Sequence, residues 1–141
     1  MIVCPGLDYC SLANATSISI WDQINDRFDN LDYLHDLGDV KVRISGCMNA
    51  CGHHHVADIG ILGVDKKGVE WYQLTLGGRS IADSRIGKRI GPAVAKADVA
   101  QAVEHILEVY TDLRIEGESF VGTLDRVGLE PFQERVYATA A

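Results

Sequence analysis

No apolar run in this chain approaches the roughly 20 residues needed to cross a bilayer. The first residues, "MIVCPGLDYC", have neither the charged start nor the long apolar block of a secretory leader. Basic charge is scarce: 13 Lys and Arg stand against 20 Asp and Glu, for a formal charge of −7. A phosphate backbone is bound by a basic surface, so this balance argues against nucleic acid as a partner. It argues equally against a small anionic substrate held by this chain alone. There is no internal repeat and no low-complexity linker. What is left is a globular composition, 47% hydrophobic and 23% charged over 141 residues, enough for one domain with a real core. The default expectation is a cytoplasmic protein with no membrane partner.

Periodicity supplies the coarse architecture. Trp21, Ile24, Phe28, Leu31 and Leu34 recur every three or four residues, the stripe of an amphipathic helix that Gly38 would end. "SLANATS" (11–17) reads as a short helical turn before it. "VKVRI" (40–44) alternates like a strand. "VADIGILGV" and "VEWYQLTLGG" flank "DKKG", a hairpin in which Gly68 can take a left-handed conformation. Residues 79–96 read as irregular. The segment 97–114 is the clearest helix, with Asp98 and Gln101 as a capping box and Val99, Val103, Ile106, Leu107 and Tyr110 as its buried stripe. A short helix over 119–128 and a packing tail over 131–137 complete the chain. The fold expected is α+β, a small mixed β-sheet with a β-hairpin packed against helices.

The chemistry lies in four cysteines spaced C-x5-C-x36-C-x3-C: Cys4, Cys10, Cys47 and Cys51. A single buried cysteine is usually just a small apolar residue. Two tight pairs off any regular apolar face argue against that reading, and disulfides are rare in the expected compartment. Structural zinc sites space paired cysteines two to four residues apart, so the first pair is wide for zinc. Four thiolates also suit an iron–sulfur cubane. Such a centre needs close backbone donors, and Gly6, Ser45, Gly46, Ala50 and Gly52 surround these ligands. Spacing alone leaves zinc and cluster both open; the chemistry favours the cluster.

"CPGLDYCSLANA" followed by "VRISGCMNACGHHHVADIGILG" resembles the cluster-binding half of the sirohaem-dependent sulfite and nitrite reductases. The likeness continues through "YQLTLGG" and the late helix, over nearly the whole chain. Gly46, Asn49 and Gly52 match that family's second cysteine motif, while Met48 replaces its usual proline. The resemblance implies that Cys4, Cys10, Cys47 and Cys51 hold a [4Fe–4S] cluster, with Cys51 bridging as axial ligand to sirohaem. Ala50 would let a flat macrocycle approach, and Asn49 could donate hydrogen bonds; an ordinary tight turn explains both residues equally well. Arg43, Arg79, Arg85, Lys88 and Arg89 could pair with the cofactor's acid groups, although a solvated face is the plainer account of each. His53, His54 and His55 cannot all face one metal from a regular element. They are expected to leave the ligand loop and enter the next segment, with adventitious metal binding as the alternative.

The resemblance also implies an oxidoreductase: residues 1–141 as a single C-terminal [4Fe–4S]/sirohaem-binding domain of an assimilatory sulfite reductase, which reduces sulfite to sulfide with six electrons. Nitrite reduction to ammonia is the close variant. Different in kind are a small electron carrier with only the cubane and a zinc-stabilised, non-redox domain. No catalytic residue is expected within this chain. The anion-binding groups would come from a missing N-terminal half of a longer reductase, and electrons from a flavoprotein or ferredoxin donor. With Cys4 so near the start, residues 1–141 are expected to be a fragment that does not turn over alone.

Overall fold

The computed structural model describes residues 1–29, 39–80 and 84–138. Among them six strands form one mixed sheet: β1 (Ile2–Val3), β2 (Val42–Ser45), β3 (Ile59–Lys66), β4 (Val69–Leu76), β5 (Lys88–Arg89) and β6 (Val94–Ala95). They lie in the order β1-β2-β3-β4-β5, with β6 also paired to β4. The β1–β2 and β2–β3 pairs are parallel and the others antiparallel. Four helices accompany the sheet: α1 (Ile18–Phe28), α2 (Val99–Leu113), α3 (Phe120–Val127) and α4 (Glu130–Tyr137). This is the α+β arrangement the sequence leads one to expect.

Register explains the core. Val42 lies opposite Ile59 and Ile44 opposite Ile61, while Ile59 and Ile61 pair with Leu76 and Leu74. Register partners share a face, so these side chains make one apolar surface. Ile20 and Ile24 of α1 pack there together with the whole buried stripe of α2. Helix α2 touches α1, α3 and α4 and is the hub of the helical layer. Burying each large aliphatic side chain contributes about 1.5–3 kcal/mol before entropy is counted. The β3–β4 turn is a two-residue hairpin with both central residues left-handed, Lys67 at φ 56° and Gly68 at φ 80°. Asp65 Oδ1 accepts the Gly68 N–H at 2.7 Å and closes it.

Four local features differ from the periodicity reading. Residues 11–17 are not helical; the Asn14 and Ala15 amides bond across to Gly46 at the end of β2, and the helix begins at Ile18. Residues 79–96 hold β5, β6 and an isolated Arg79–Arg85 bridge. Asp98 makes no capping bond: it is the last residue of a 3-10 turn and has helical-region dihedrals in place of the extended geometry a capping residue takes. Ser119, in extended geometry, does cap α3, accepting the Gly122 N–H at 3.1 Å. Residues 131–137 belong to a full helix, with Pro131 in its first turn where no amide proton is missed. The expected Leu31 and Leu34 stripe and the Gly38 stop lie outside the described residues.

Candidate metal centre

Two parallel strands carry both cysteine pairs to one place. β1 runs beside β2 with Val3 opposite Ile44, and the Cys4 N–H extends the ladder to the Ile44 carbonyl at 3.0 Å. Cys4 therefore leaves the carboxyl end of β1 next to Gly46 and Cys47, which leave the carboxyl end of β2. Carboxyl ends of neighbouring parallel strands are where open sheets gather their ligand sites. All four cysteines, with Pro5, Gly6, Ala13 and Gly46, line one small cavity of about 40 Å³. All four are free thiols; Cys4 and Cys47 are buried, Cys10 is half-buried, and Cys51 is exposed at the surface.

The two loops touch through glycine. A Cβ on Gly46 would stand 3.0 Å from the Gly6 Cα and 2.8 Å from the Ala15 carbonyl oxygen. A Cβ on Gly6, which sits at φ +64°, would stand 2.4 Å from the Ser17 hydroxyl. Any side chain at either position would wedge the cysteine pairs apart. The Gly46 carbonyl accepts the amides of Asn14 (2.9 Å) and Ala15 (3.0 Å), which stitches the first loop over the second. The Gly46 N–H donates to Cys4 Sγ at 3.0 Å.

Strand β4 anchors the same loop from below. Glu70 accepts the Thr16 N–H at 2.6 Å, and Tyr72 donates its phenol proton to the Thr16 carbonyl at 2.7 Å. Burial alone would raise the Glu70 carboxyl, but bonds from Thr16 and Lys96 hold it below its ordinary value. Burial pushes the Tyr72 phenol up to about 12, so it stays a donor throughout the physiological range. Neither residue stood out in the sequence, since an alternating strand gives no sign of which side chain reaches a distant loop.

The second motif folds as consecutive turns. The Ala50 N–H donates to the Cys47 carbonyl (3.1 Å) and the His53 N–H to the Ala50 carbonyl (2.7 Å). Ala50 and His53 both take left-handed dihedrals, at φ 57° and φ 55°. Asn49 is exposed and Ala50 half-buried, and neither lines the cavity. The three histidines do leave the ligand loop: His54–Val56 is a 3-10 turn, with His54 buried and His53 and His55 exposed. The His54 ring lies 4.0 Å from that of His55, and its Nδ1 is buried with no partner. Burial first, and the His55 charge second, bring its pKa down to about 4.

The basic residues stand elsewhere. Arg85 donates to the Gly77 carbonyl at 2.7 Å and to Asp125 at 2.6 Å. Arg79 pairs with Arg85 through the backbone, Lys88 and Arg89 are exposed on β5, and Arg43 is half-buried on β2. None of the five lines the cysteine cavity.

The donor spacing bears on what the thiols could hold. Around tetrahedral zinc, Zn–S bonds of about 2.3 Å draw the sulfurs to roughly 3.8 Å of one another. Among the described residues, no three His, Cys, Asp or Glu side chains are gathered as one ion requires. A four-iron core sets irons and sulfides between its thiolates, so its ligands stand further apart around a shared space. Four free thiols line this one small cavity, backed by close glycines and an amide donor, and a set of four thiolates is the donor set a [4Fe–4S] cluster takes.

Comparison with known proteins agrees. The profile of the family described as "Nitrite and sulphite reductase 4Fe-4S domain" matches residues 1–140. The "Sulfite reductase [NADPH] hemoprotein beta-component" of Methylobacterium sp. (strain 4-46) is 32% identical over 129 residues, 90% of this chain and 21% of its own. The protein of the same name from Shigella dysenteriae is 28% identical over 130 residues, 91% of this chain and 22% of its own. The chain thus spans about a fifth of the length of these curated relatives. Among solved structures, Mycobacterium tuberculosis NirA superposes with a TM-score of 0.76 at 24% identity, over 92% of this chain and 26% of that one. Dissimilatory sulfite reductase I superposes at 0.78 and 14% identity, over 95% and 51%. Both likenesses speak to the fold.

Proposed function

The chain belongs to the nitrite and sulphite reductase 4Fe–4S domain family, and from that premise we propose that residues 1–141 are the C-terminal [4Fe–4S]/sirohaem-binding domain of an assimilatory sulfite reductase. The observation that carries this reading is the single cavity lined by Cys4, Cys10, Cys47 and Cys51. When bound, the cluster and sirohaem supply single-electron transfer to a substrate on iron. This chain's residues hold and shield that machinery. Buried Cys4 and Cys47, half-buried Cys10 and exposed Cys51 would hold the cluster, and Cys51, the outward-facing thiol, would be the one available to sirohaem. Half-buried Ala50 beside Cys51 leaves room for a flat macrocycle, and exposed Asn49 has its amide free to bond it.

Sulfite is favoured over nitrite because the relatives quoted above are named sulfite reductase hemoproteins. The Arg and Lys groups that draw in an anion would come from the remainder of a longer reductase. Electrons come from a flavoprotein or ferredoxin donor, and the isolated chain does not turn over. Exposed Leu7, Tyr9, Leu12 and Met48 beside the cysteines support a covering partner on this face.

Anaerobic reconstitution with iron and sulfide tests the reading. We expect four irons and four sulfides per chain, a broad visible band that bleaches on reduction, and loss of uptake when Cys4 or Cys47 is changed to Ser. Tight zinc binding with no iron uptake would instead establish the non-redox domain.

A further inference from the structure

Ser17 occupies the N-cap position of α1 yet makes no capping bond. Serine at that position ordinarily accepts a first-turn amide. Its hydroxyl points instead at Cys4 Sγ, 3.5 Å away, in a buried contact. That length suits sulfur, whose larger radius lengthens its hydrogen bonds. Ser17 is wholly buried, and the room for its oxygen is made by the two glycines, since a Cβ on Gly6 would come within 2.4 Å and one on Gly46 within 3.0 Å. The side chain is therefore held on the sulfur from both sides.

We propose that Ser17 is a positioning residue that donates a hydrogen bond to the Cys4 thiolate and so raises the reduction potential of the [4Fe–4S] cluster. The inference rests on Cys4 being a cluster ligand. A ligating thiolate has no proton to give, so the hydroxyl must be the donor. Cys4 Sγ then accepts two bonds, one from Ser17 and one from the Gly46 amide at 3.0 Å. Reduction adds one electron from the external donor and leaves one more negative charge shared over cluster and thiolates. Donors to sulfur stabilise that charge, which is how second-layer contacts tune such centres. The proton stays on Ser17 in both states.

The test is a redox titration of the anaerobically reconstituted chain beside Ser17→Ala and Ser17→Thr. Ser17→Ala removes one oxygen from a packed site and is expected to keep four irons per chain. Its cluster should be harder to reduce by up to about tenfold in the equilibrium constant, which for one electron is ~59 mV to more negative potential. Ser17→Thr retains the hydroxyl and should restore most of the difference. An unchanged potential in fully loaded Ser17→Ala overturns this inference alone. If Ser17→Ala fails to load while Ser17→Thr loads with an unchanged potential, the hydroxyl serves assembly of the site and the inference about potential falls. If both fold but fail to load, Ser17 is only a packing residue and the inference falls. No iron uptake by the unsubstituted chain, or full uptake by Cys4→Ala, defeats the ligand reading and this inference with it.

Discussion

At the scale of single residues, the site is governed by what is small and what is buried. Gly46 is the sharpest case, because its missing side chain lets the two cysteine loops touch. Gly46→Val would drive branched carbons into the Ala15 carbonyl and the Gly6 backbone, an overpacking that costs about 1–3 kcal/mol. The expected outcome is a chain with unchanged helical circular dichroism, a lower urea midpoint and no iron uptake; full uptake would mean the loops do not need their close contact. His54 makes a second prediction through pH. Its pKa is near 6.5 unfolded and about 4 folded, so between those values the unfolded chain binds more protons. Stability is intact above pH 6.5 and falls as pH drops toward 4, by about 3 kcal/mol at the limit. Urea midpoints of the cluster-free chain at pH 7.5, 6 and 5 should decline in that order, and His54→Phe should flatten the trend between pH 6.5 and 5. An equally steep decline in the variant would place the acid sensitivity elsewhere.

At the scale of elements, the centre depends on a two-residue strand. β1 holds Cys4 in place through its ladder with β2, and without it the first cysteine pair would hang on the loop's bonds to Gly46 and on the Thr16 contacts with Glu70 and Tyr72. Deleting residues 1–3 removes little core, so α1, α2 and the hairpin should survive with near-native thermal unfolding. Iron bound per chain should nonetheless fall well below four, measured after anaerobic reconstitution; full loading would show that the loop stitches suffice. The ladder was not legible in the sequence, where "MIV" is too short to show alternation and chain starts usually fray. The hairpin and α2 were legible because each follows a single local rule, alternation around Lys67 and Gly68 or a 3.6-residue stripe. The Glu70 and Tyr72 contacts with Thr16 and the Ser17 bond to Cys4 were hidden for the opposite reason. They join residues far apart in the chain, and their geometry exists only once β1, β2 and β4 lie side by side. The convergence of the cysteines showed through because paired thiols off any apolar face mark a site whatever the fold, whereas the basic residues read as a group proved to be spread over separate strands and loops.

At the scale of the molecule, charge and apolar surface are divided unevenly. The chain carries −7 overall, yet six of its large exposed apolar side chains, Met1, Ile2, Leu7, Tyr9, Leu12 and Met48, belong to the two cysteine-bearing segments. No described helix is long and apolar enough to cross a membrane. On the proposed reading, the remainder of a longer reductase would bury this apolar rim and close off Cys51 together. Cys51 is the exposed one of the four cysteines, and a bound cluster would meet oxygen there. The reconstituted chain alone should therefore bleach in air, and addition of the remainder of a related reductase in trans should slow that loss severalfold. Leu12 is 71% exposed and lines no part of the cavity, so Leu12→Glu should leave iron uptake intact while placing a charge in the covered face. Loss of protection in Leu12→Glu with four irons still bound, followed by visible absorbance in air, would identify the rim as the contact. Equal bleaching with and without the added partner would show that the cluster is shielded by this chain's own loops.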